Sequence, residues 1–165
     1  PPQPATYISD TQIDTDREAF IPDAYISSSA EKIRLYRELD HITDDRRLAL
    51  FEKNLIDRFG PVPEATRELF DIVRMRWVCI ELGFEKAIVK NGIMILQFVH
   101  NQNSAYYKSE LFGRILRVST RPGSKFIFRQ NNNKLSVVVR SIKDIAAAAA
   151  TLRELESEAA KQPTA

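Results

Sequence analysis

The sequence predicts an α+β fold: a helical N-terminal half packed on a small antiparallel sheet of two hairpins, with a C-terminal helix. Three observations lead to this prediction. Apolar residues recur at helical spacing as far as Gly83, short apolar runs around two asparagine-containing turns follow, and the last segment contains five consecutive alanines. A chain of 165 residues is long enough to bury about 70% of its unfolded surface. We therefore expect one domain with its own hydrophobic core.

The N-terminal segment is extended and acidic, and its apolar content is low. A strand at one edge of the sheet is plausible near Gln12–Asp16. Pro22 disfavours helix at Ile21, and the serines at 27–29 then provide an N-cap. A first helix over about 30–40 follows.

A second helix is predicted from about residue 44 to 59, because Asp44 or Thr43 can cap its first amides and Gly60-Pro61 ends it. At 100° per residue, its apolar side chains fall on one face. These are Leu48, Phe51, Leu55, Ile56 and Phe59. The opposite face carries Leu50, Lys53, Asn54 and Asp57.

A third helix begins at Pro63 and continues to about Leu82. Its apolar stripe is wide and contains Trp77, the only tryptophan of the chain. A helix with such a stripe packs against neighbours over much of its surface. We therefore predict that it is the central packing helix.

Two hairpins and two helices are predicted after Gly83. Asn91-Gly92 suits a type I′ turn between strands 87–90 and 93–99, and the second of these strands is apolar enough to be central and covered on both faces. Residues 104–119 return to helical spacing, and a second hairpin surrounds Asn131–Asn133. A last helix runs from Ile142 to about Ala160.

Charge is distributed unevenly along the chain. Residues 1–100 hold 13 basic and 17 acidic residues, whereas residues 101–143 hold nine basic residues and one acidic residue, Glu110. Such an asymmetry indicates two surfaces with different partners, or one half folded back on the other. Composition alone does not choose between these alternatives.

The sequence offers little that is typical of an enzyme. Neither a phosphate-binding GxxxxGK[ST] nor a GxGxxG pattern occurs, and His41 and His100 stand 59 residues apart with no metal-binding spacing. The single cysteine, Cys79, lies at the rim of an apolar stripe, where a free cysteine usually acts as a small hydrophobe. We expect no catalytic, cofactor or metal site.

Two surfaces are candidates for binding. The basic region contains cations able to neutralise phosphates, with aromatic residues between them, although the same residues also fit a solvated face over a core. These cations are Arg114, Arg117, Arg121, Lys125 and Arg129. The other candidate is the outward strip of the second helix, where Leu50, Asn54 and Asp57 follow at i, i+4 and i+7 and Lys53 lies beside them. A leucine at this position suits a partner surface, although single exposed leucines are common and the strip also fits a purely solvated face.

Several strings occur in a familiar order and spacing: IPDAYI (21–26), LYREL (35–39), LIDRFGPVPEA (55–65) and ELGF (81–84). Together they resemble the C-terminal domain of bacterial transcription-repair coupling factors. The string LIDRFGPVPEATRELFDIVRMRW is the most specific part. The resemblance extends loosely to the last helix, over about residues 15–160.

The resemblance implies a regulatory domain without chemistry of its own. Factors of this family are ATP-driven DNA translocases that displace stalled RNA polymerase, with ATP and magnesium bound only in upstream motor domains. The C-terminal domain docks on the factor's own excinuclease-B-like N-terminal module and hides the surface that excinuclease A needs. The family's acidic docking positions correspond to Asp57 and to Asn54, where this chain has an amide.

The organisation that follows is a lead-in from the motor over residues 1–20, a regulatory domain over 21–160 and a tail over 161–165. We expect a cytoplasmic domain with no cofactor and no membrane partner, because no long apolar run or signal peptide occurs. The expected partners are the N-terminal module directly, excinuclease A and RNA polymerase indirectly, and DNA through the whole factor. The alternative is a nucleic-acid-binding module that uses the basic region 108–143.

Overall fold

The computed structural model describes residues 6–163, and within them the chain forms five α-helices and one five-stranded sheet. The helices are α1 (Ser29–His41), α2 (Asp45–Phe59), α3 (Glu64–Leu82), α4 (Glu110–Thr120) and α5 (Ile145–Ala160). The strands are β1 (Gln12–Thr15), β2 (Phe84–Lys90), β3 (Ile93–Phe98), β4 (Ile127–Asn131) and β5 (Lys134–Arg140). A short 3-10 helix spans Ala105–Lys108. The predicted α+β class is confirmed.

The sheet has the order β1-β2-β3-β5-β4, so β3 is its central strand, as predicted. Both hairpins form at the predicted turns, and Asn91, Gly92 and Asn132 have the positive φ angles that tight hairpin turns need. The edge strand β1 pairs in parallel with β2, so the sheet is antiparallel except at this edge. The connection from β1 to β2 contains α1, α2 and α3, and a parallel pair needs a long crossover of this kind.

One hydrophobic core lies on each side of α3, which confirms the prediction of a central packing helix. Phe70, Val73 and Trp77 join a core with α1 and α2, whereas Met75 and Val78 join a core with α4, α5 and the sheet. The Trp77 indole N–H donates to the Ile42 carbonyl at 2.7 Å, so the buried ring has its polar group satisfied. The layers in order are therefore α1 with α2, then α3 with α4 and α5, then the sheet.

Within residues 6–163, helices cover one face of the sheet and leave the other uncovered. The prediction that β3 is covered on both faces is wrong, because Met94, Leu96 and Phe98 are buried whereas Ile95 and Gln97 are only half-buried and Ile93 is 37% exposed. Alternate residues of a strand point to opposite faces. The half-buried residues therefore line the face opposite the helices, which we call the open face.

Other boundaries differ slightly from the predictions. The last helix begins at Ile145 instead of Ile142, because the Asp144 side chain accepts from the Ala147 N–H and caps it. Ser109 divides the predicted helix 104–119 by capping α4. Ile56, expected on the buried face of α2, is 41% exposed.

Part of the predicted lead-in, residues 1–20, packs against the rest of the chain. The Thr11 hydroxyl donates to the Phe84 carbonyl at 2.6 Å, and Arg17 forms an ion pair with Glu68 on α3 at 2.7 Å. The tails at 1–4 and at 164–165 lie outside the described residues. The division of the chain into lead-in, domain and tail stays a prediction.

Candidate docking site

The predicted partner residues Leu50, Lys53, Asn54 and Asp57 are all exposed on the outward face of α2, which we call the α2 strip. The opposite face of the helix buries Leu48, Phe51 and Leu55 against α1 and α3. Leu50 is 58% exposed, more than any other large apolar side chain of the described residues. The spacing of apolar residues therefore placed the α2 strip correctly, because burial of one face fixes the orientation of the other.

Both ends of α2 are held by specific contacts. The Asp44 carboxylate accepts from the Arg47 N–H at 2.8 Å, and Gly60 ends the helix with φ of 86°. The Tyr25 hydroxyl then donates to the Gly60 carbonyl at 2.8 Å. Asp57, one turn before this point, is therefore presented from a helix end that is tied to the helical core.

A groove of about 250 Å³ runs between α1 and α2 beside the α2 strip. Leu35, Phe51 and Leu55 form its buried floor. Its polar lining consists of Arg34, Glu38, Asn54, Asp57 and Arg58. The floor is apolar and the mouth charged, which suits a long side chain with a charged end.

Glu31 holds the two arginines of this groove. Its carboxylate accepts from both Arg34 and Arg58, and the Arg58 Nη1 to Glu31 Oε1 distance is 2.6 Å. Hydrogen bonds from Arg34, and then from Arg58, lower the pKa of Glu31. Among residues 6–163 neither Glu38 nor Asp57 forms an ion pair, so these two carboxylates remain available to a cationic group at the mouth.

Glu38 is a site residue that the sequence analysis missed. It lies on α1, across the groove from Asp57, and it is exposed. Its helical spacing from Leu35 and Leu39 shows that it lies at the edge of the buried face of α1. What the sequence did not show is that α2 packs beside that edge. Glu38 supplies a second carboxylate to a site where Asn54 carries an amide.

The other end of the α2 strip is basic. A shallow depression around Leu50 is lined by Arg46, Arg47 and Lys53, together with Asp44 and Ala49. Of these three cations, Arg47 alone forms an ion pair within the described part of the chain, with Asp44 at 3.6 Å. The α2 strip therefore runs from a basic end around Leu50 to an acidic end at Asp57.

Four of the five cations predicted to contact nucleic acid have partners within the described part of the chain. Arg114 contacts Glu110, Arg121 contacts Glu158 at 3.1 Å and Lys125 contacts Glu154. Arg117 donates to the Pro163 carbonyl. Arg129 lies on β4, on the open face. The acidic α5 thus covers part of the basic region, which is the folded-back arrangement that the charge asymmetry allowed.

Sequence and structure comparisons locate this chain among known proteins. The model of the TRCF domain family matches residues 15–109, more than half of the chain. The chain belongs to the TRCF domain family. Transcription-repair-coupling factors are similar to it: that of Rickettsia prowazekii is 30% identical over 113 residues, 68% of this chain and 10% of the relative. That of Mycobacterium bovis is 36% identical over 70 residues, 42% of this chain and 6% of the relative.

A solved structure shares the fold of this TRCF domain. The crystal structure of a C-terminal domain of transcription-repair coupling factor superposes with a TM-score of 0.68 over 93% of this chain and 98% of that chain, at 18% identity. The chain spans about a tenth of the length of the curated relatives it matches. The family predicted from the motifs is confirmed.

Two of the reactive side chains of the TRCF domain, those of Cys79 and His41, are engaged within the fold. Cys79 is completely buried in the sheet core, and burial raises the pKa of its thiol. His41 Nδ1 lies 2.7 Å from the Arg37 carbonyl. Residues 6–163 contain no group of three or more histidine, cysteine or acidic side chains placed to hold a metal ion. None of the helices described there is long and apolar enough to span a bilayer.

Proposed function

We propose that this TRCF domain is a regulatory docking module without catalytic activity or cofactor. In the proposal it binds the excinuclease-B-like N-terminal module of its own transcription-repair coupling factor and thereby masks the surface that excinuclease A uses. The groove between α1 and α2, with the adjoining α2 strip, is the docking site. RNA polymerase and DNA are partners of the whole factor, reached through its other domains.

The observation that carries the proposal is the pair of free carboxylates at the mouth of an apolar-floored groove. Glu38 and Asp57 face each other across the groove, while Glu31 holds the nearby Arg34 and Arg58. An arginine of the partner has the right shape for this site, since its stem covers Leu35 and Phe51 while its guanidinium binds carboxylate. The site thus keeps a two-carboxylate character although Asn54 replaces one family acid.

A regulatory contact has to open, and the geometry favours a weak one. Ion pairs between exposed side chains contribute only about 0.2–1 kcal/mol each. Linkage within one polypeptide raises the effective concentration of the partner, so a few such pairs are enough to hold the closed state. Competition with excinuclease A then shifts the balance between closed and open states.

Binding of excinuclease A to the full-length factor tests this proposal. Asp57→Arg and Glu38→Arg reverse the charge at the groove mouth, and both positions are exposed, so folding should be preserved. We expect the affinity for excinuclease A to rise by about 2–10-fold in each variant, as lost pairs and new repulsion open the clamp.

The matched control is Glu18→Arg, the same change of charge at an exposed acid outside the groove. It should leave the affinity for excinuclease A unchanged. If the groove variants bind excinuclease A no better than the wild type and the control do, the docking site is wrong.

A further inference from the structure

The open face of the sheet carries an aliphatic row that no element of the described chain covers. Cross-strand pairing aligns Ile88 on β2, Ile95 on β3, Val138 on β5 and Ile127 on β4. Each of the four is half-buried, and Ile93 beside them is 37% exposed. One-sided antiparallel sheets usually place polar residues on the solvent side. A continuous aliphatic row there is typical of an interaction surface.

Cations border the aliphatic row on both sides. On one side of the row, Lys90 and Arg140 each lie two positions along their strands from the row residues Ile88 and Val138. On the other side, Lys86 and Arg129 lie two positions from Ile88 and Ile127. Lys86 contacts Asp14 at 3.4 Å on the edge strand β1. Lys90, Arg129 and Arg140 form no ion pair with any residue of 6–163, and Asp14 on β1, which pairs with Ile88, is a carboxylate at the end of the row. Cations therefore outnumber carboxylates around the row in the described fold.

The dimensions of the pattern match one helix. Lys90 is four positions after Lys86, which corresponds to about 13 Å along a strand. A helix with its side chains is about 10–12 Å across. The aliphatic row crosses four strands, about 14 Å, or roughly three turns of helix. A helix with an apolar stripe and carboxylates on both flanks would therefore place each carboxylate line beside a cation line.

We propose that the open face binds an acidic amphipathic helix of a partner protein. The groove between α1 and α2 lies on the other side of α3, so this surface is distinct from the docking site. The apolar stripe of the partner helix would pack on the aliphatic row, and its carboxylates would contact Lys90, Arg129 and Arg140 beside the row. The sequence of β3, which reads like that of a strand buried on both faces, has the composition that such a covered state needs.

Two other occupants fit the pattern less well. Single-stranded nucleic acid binds stacking platforms of aromatic residues, and the residues of the row are isoleucine and valine. A second copy of the chain placed face to face would set Arg129 and Arg140 against like charges, which is unfavourable. An acidic amphipathic helix would both bury the apolar row and place carboxylates beside the cations that border it.

Fluorescence anisotropy of a labelled peptide tests the proposal with the purified 165-residue chain. The probe is a designed helix of about 20 residues, with leucine at i, i+3, i+4 and i+7 and glutamate on both flanks; a second peptide carries lysine in place of glutamate. We expect the glutamate peptide to bind the wild type at least ~10-fold more tightly than the lysine peptide does. The double variant Arg129→Glu/Arg140→Glu should reverse this preference, and Val138→Asp should weaken binding of both peptides.

Controls separate this surface from the rest of the molecule. Arg37→Glu/Lys161→Glu makes the same change of charge at exposed positions on α1 and just after α5, outside the groove, the α2 strip and the open face, and should leave the preference for the glutamate peptide intact. Equal binding of the two peptides by the wild type, or equal loss in the control, would overturn the proposal. Tighter binding of labelled duplex DNA through Arg129 and Arg140, or self-association abolished by Val138→Asp, would also overturn it.

Discussion

Gly83 ends α3 in a position where no other residue fits easily. Its φ is 84°, and a β-carbon placed there would lie 2.2 Å from Cε1 of the Tyr106 ring. Tyr106 is fully buried, and its hydroxyl donates to the Leu82 carbonyl at 2.7 Å, so the ring has no room to move away. Both the backbone angle and the close approach of the ring therefore require glycine.

Gly83→Ala should lower the free energy of unfolding by about 2–5 kcal/mol, because it adds left-handed backbone strain to a clash in a packed core. Gly113→Ala is the matched variant: Gly113 lies in α4, and a β-carbon at this position would meet no neighbouring atom within 4 Å, so alanine should stabilise by about 0.5–1 kcal/mol. Denaturant unfolding of both variants measures this. If Gly83→Ala and Gly113→Ala changed the free energy of unfolding by similar amounts in the same direction, the packing described around Tyr106 would be contradicted.

The sequence predicted individual residues well where one helix alone decides their environment. The exposure of Asp57 and the burial of Phe51 follow from the spacing of apolar residues within α2. Glu38 could not be identified in this way, since its part in the groove depends on how α1 packs against α2. The ion pairs of Arg121 and Lys125 with α5 likewise join residues 37 and 29 positions apart in the chain.

At the scale of elements, α3 and α5 meet at a pair of carboxyl groups. A hydrogen bond with Glu156, with burial as the next cause, raises the pKa of Glu81 to about 7. Arg153 lies 2.9 Å from Glu156 and 3.9 Å from Glu81, so it favours the charged form of the pair. With the pKa of Glu81 raised and that of Glu156 lowered, the proton of the pair belongs on the Glu81 carboxyl group, beside a Glu156 carboxylate that contacts Arg153.

This pair makes stability depend on pH. An acid with a raised pKa holds more protons in the folded chain than in the unfolded chain between the two pKa values. The free energy of unfolding contributed by Glu81 should therefore fall as pH rises from 4.5, its ordinary value, to about 7. Glu81→Gln keeps a donor for Glu156 and should flatten this part of the profile.

Thermal unfolding across that pH range measures the effect. Glu18→Gln, at an exposed acid remote from α5 in sequence, serves as the control and should keep the wild-type profile. A Glu81→Gln profile with the same slope as that of the wild type would show that the pair does not hold its proton on Glu81.

The elements themselves were largely predictable because their ends carry local signals. Asp44 and Gly60 bound α2 and Gly83 ends α3, as the capping rules predict. The parallel pairing of β1 with β2 was not predictable, since it brings together segments separated by three helices. The composition of β3 indicated burial on both faces, and the described fold covers one; this difference led to the proposal for the open face.

At the scale of the whole molecule, α3 separates two surfaces of different character. The groove beside the α2 strip offers carboxylates, and the open face offers cations around an aliphatic row, that form no ion pair within residues 6–163. A domain built in this way is suited to bind a basic group on one side and an acidic helix on the other. Neither surface depends on the other for its contacts, so variants of each should act independently.

The central claim is that the groove mouth docks on the excinuclease-B-like N-terminal module. Calorimetric titration of that separate module with this chain tests it most directly. Wild-type chain should bind, Asn54→Asp should bind more tightly because it restores the family acid, and Asp57→Arg should bind several-fold more weakly. Wild-type affinity in Asp57→Arg, with Glu18→Arg also unchanged, would contradict the account.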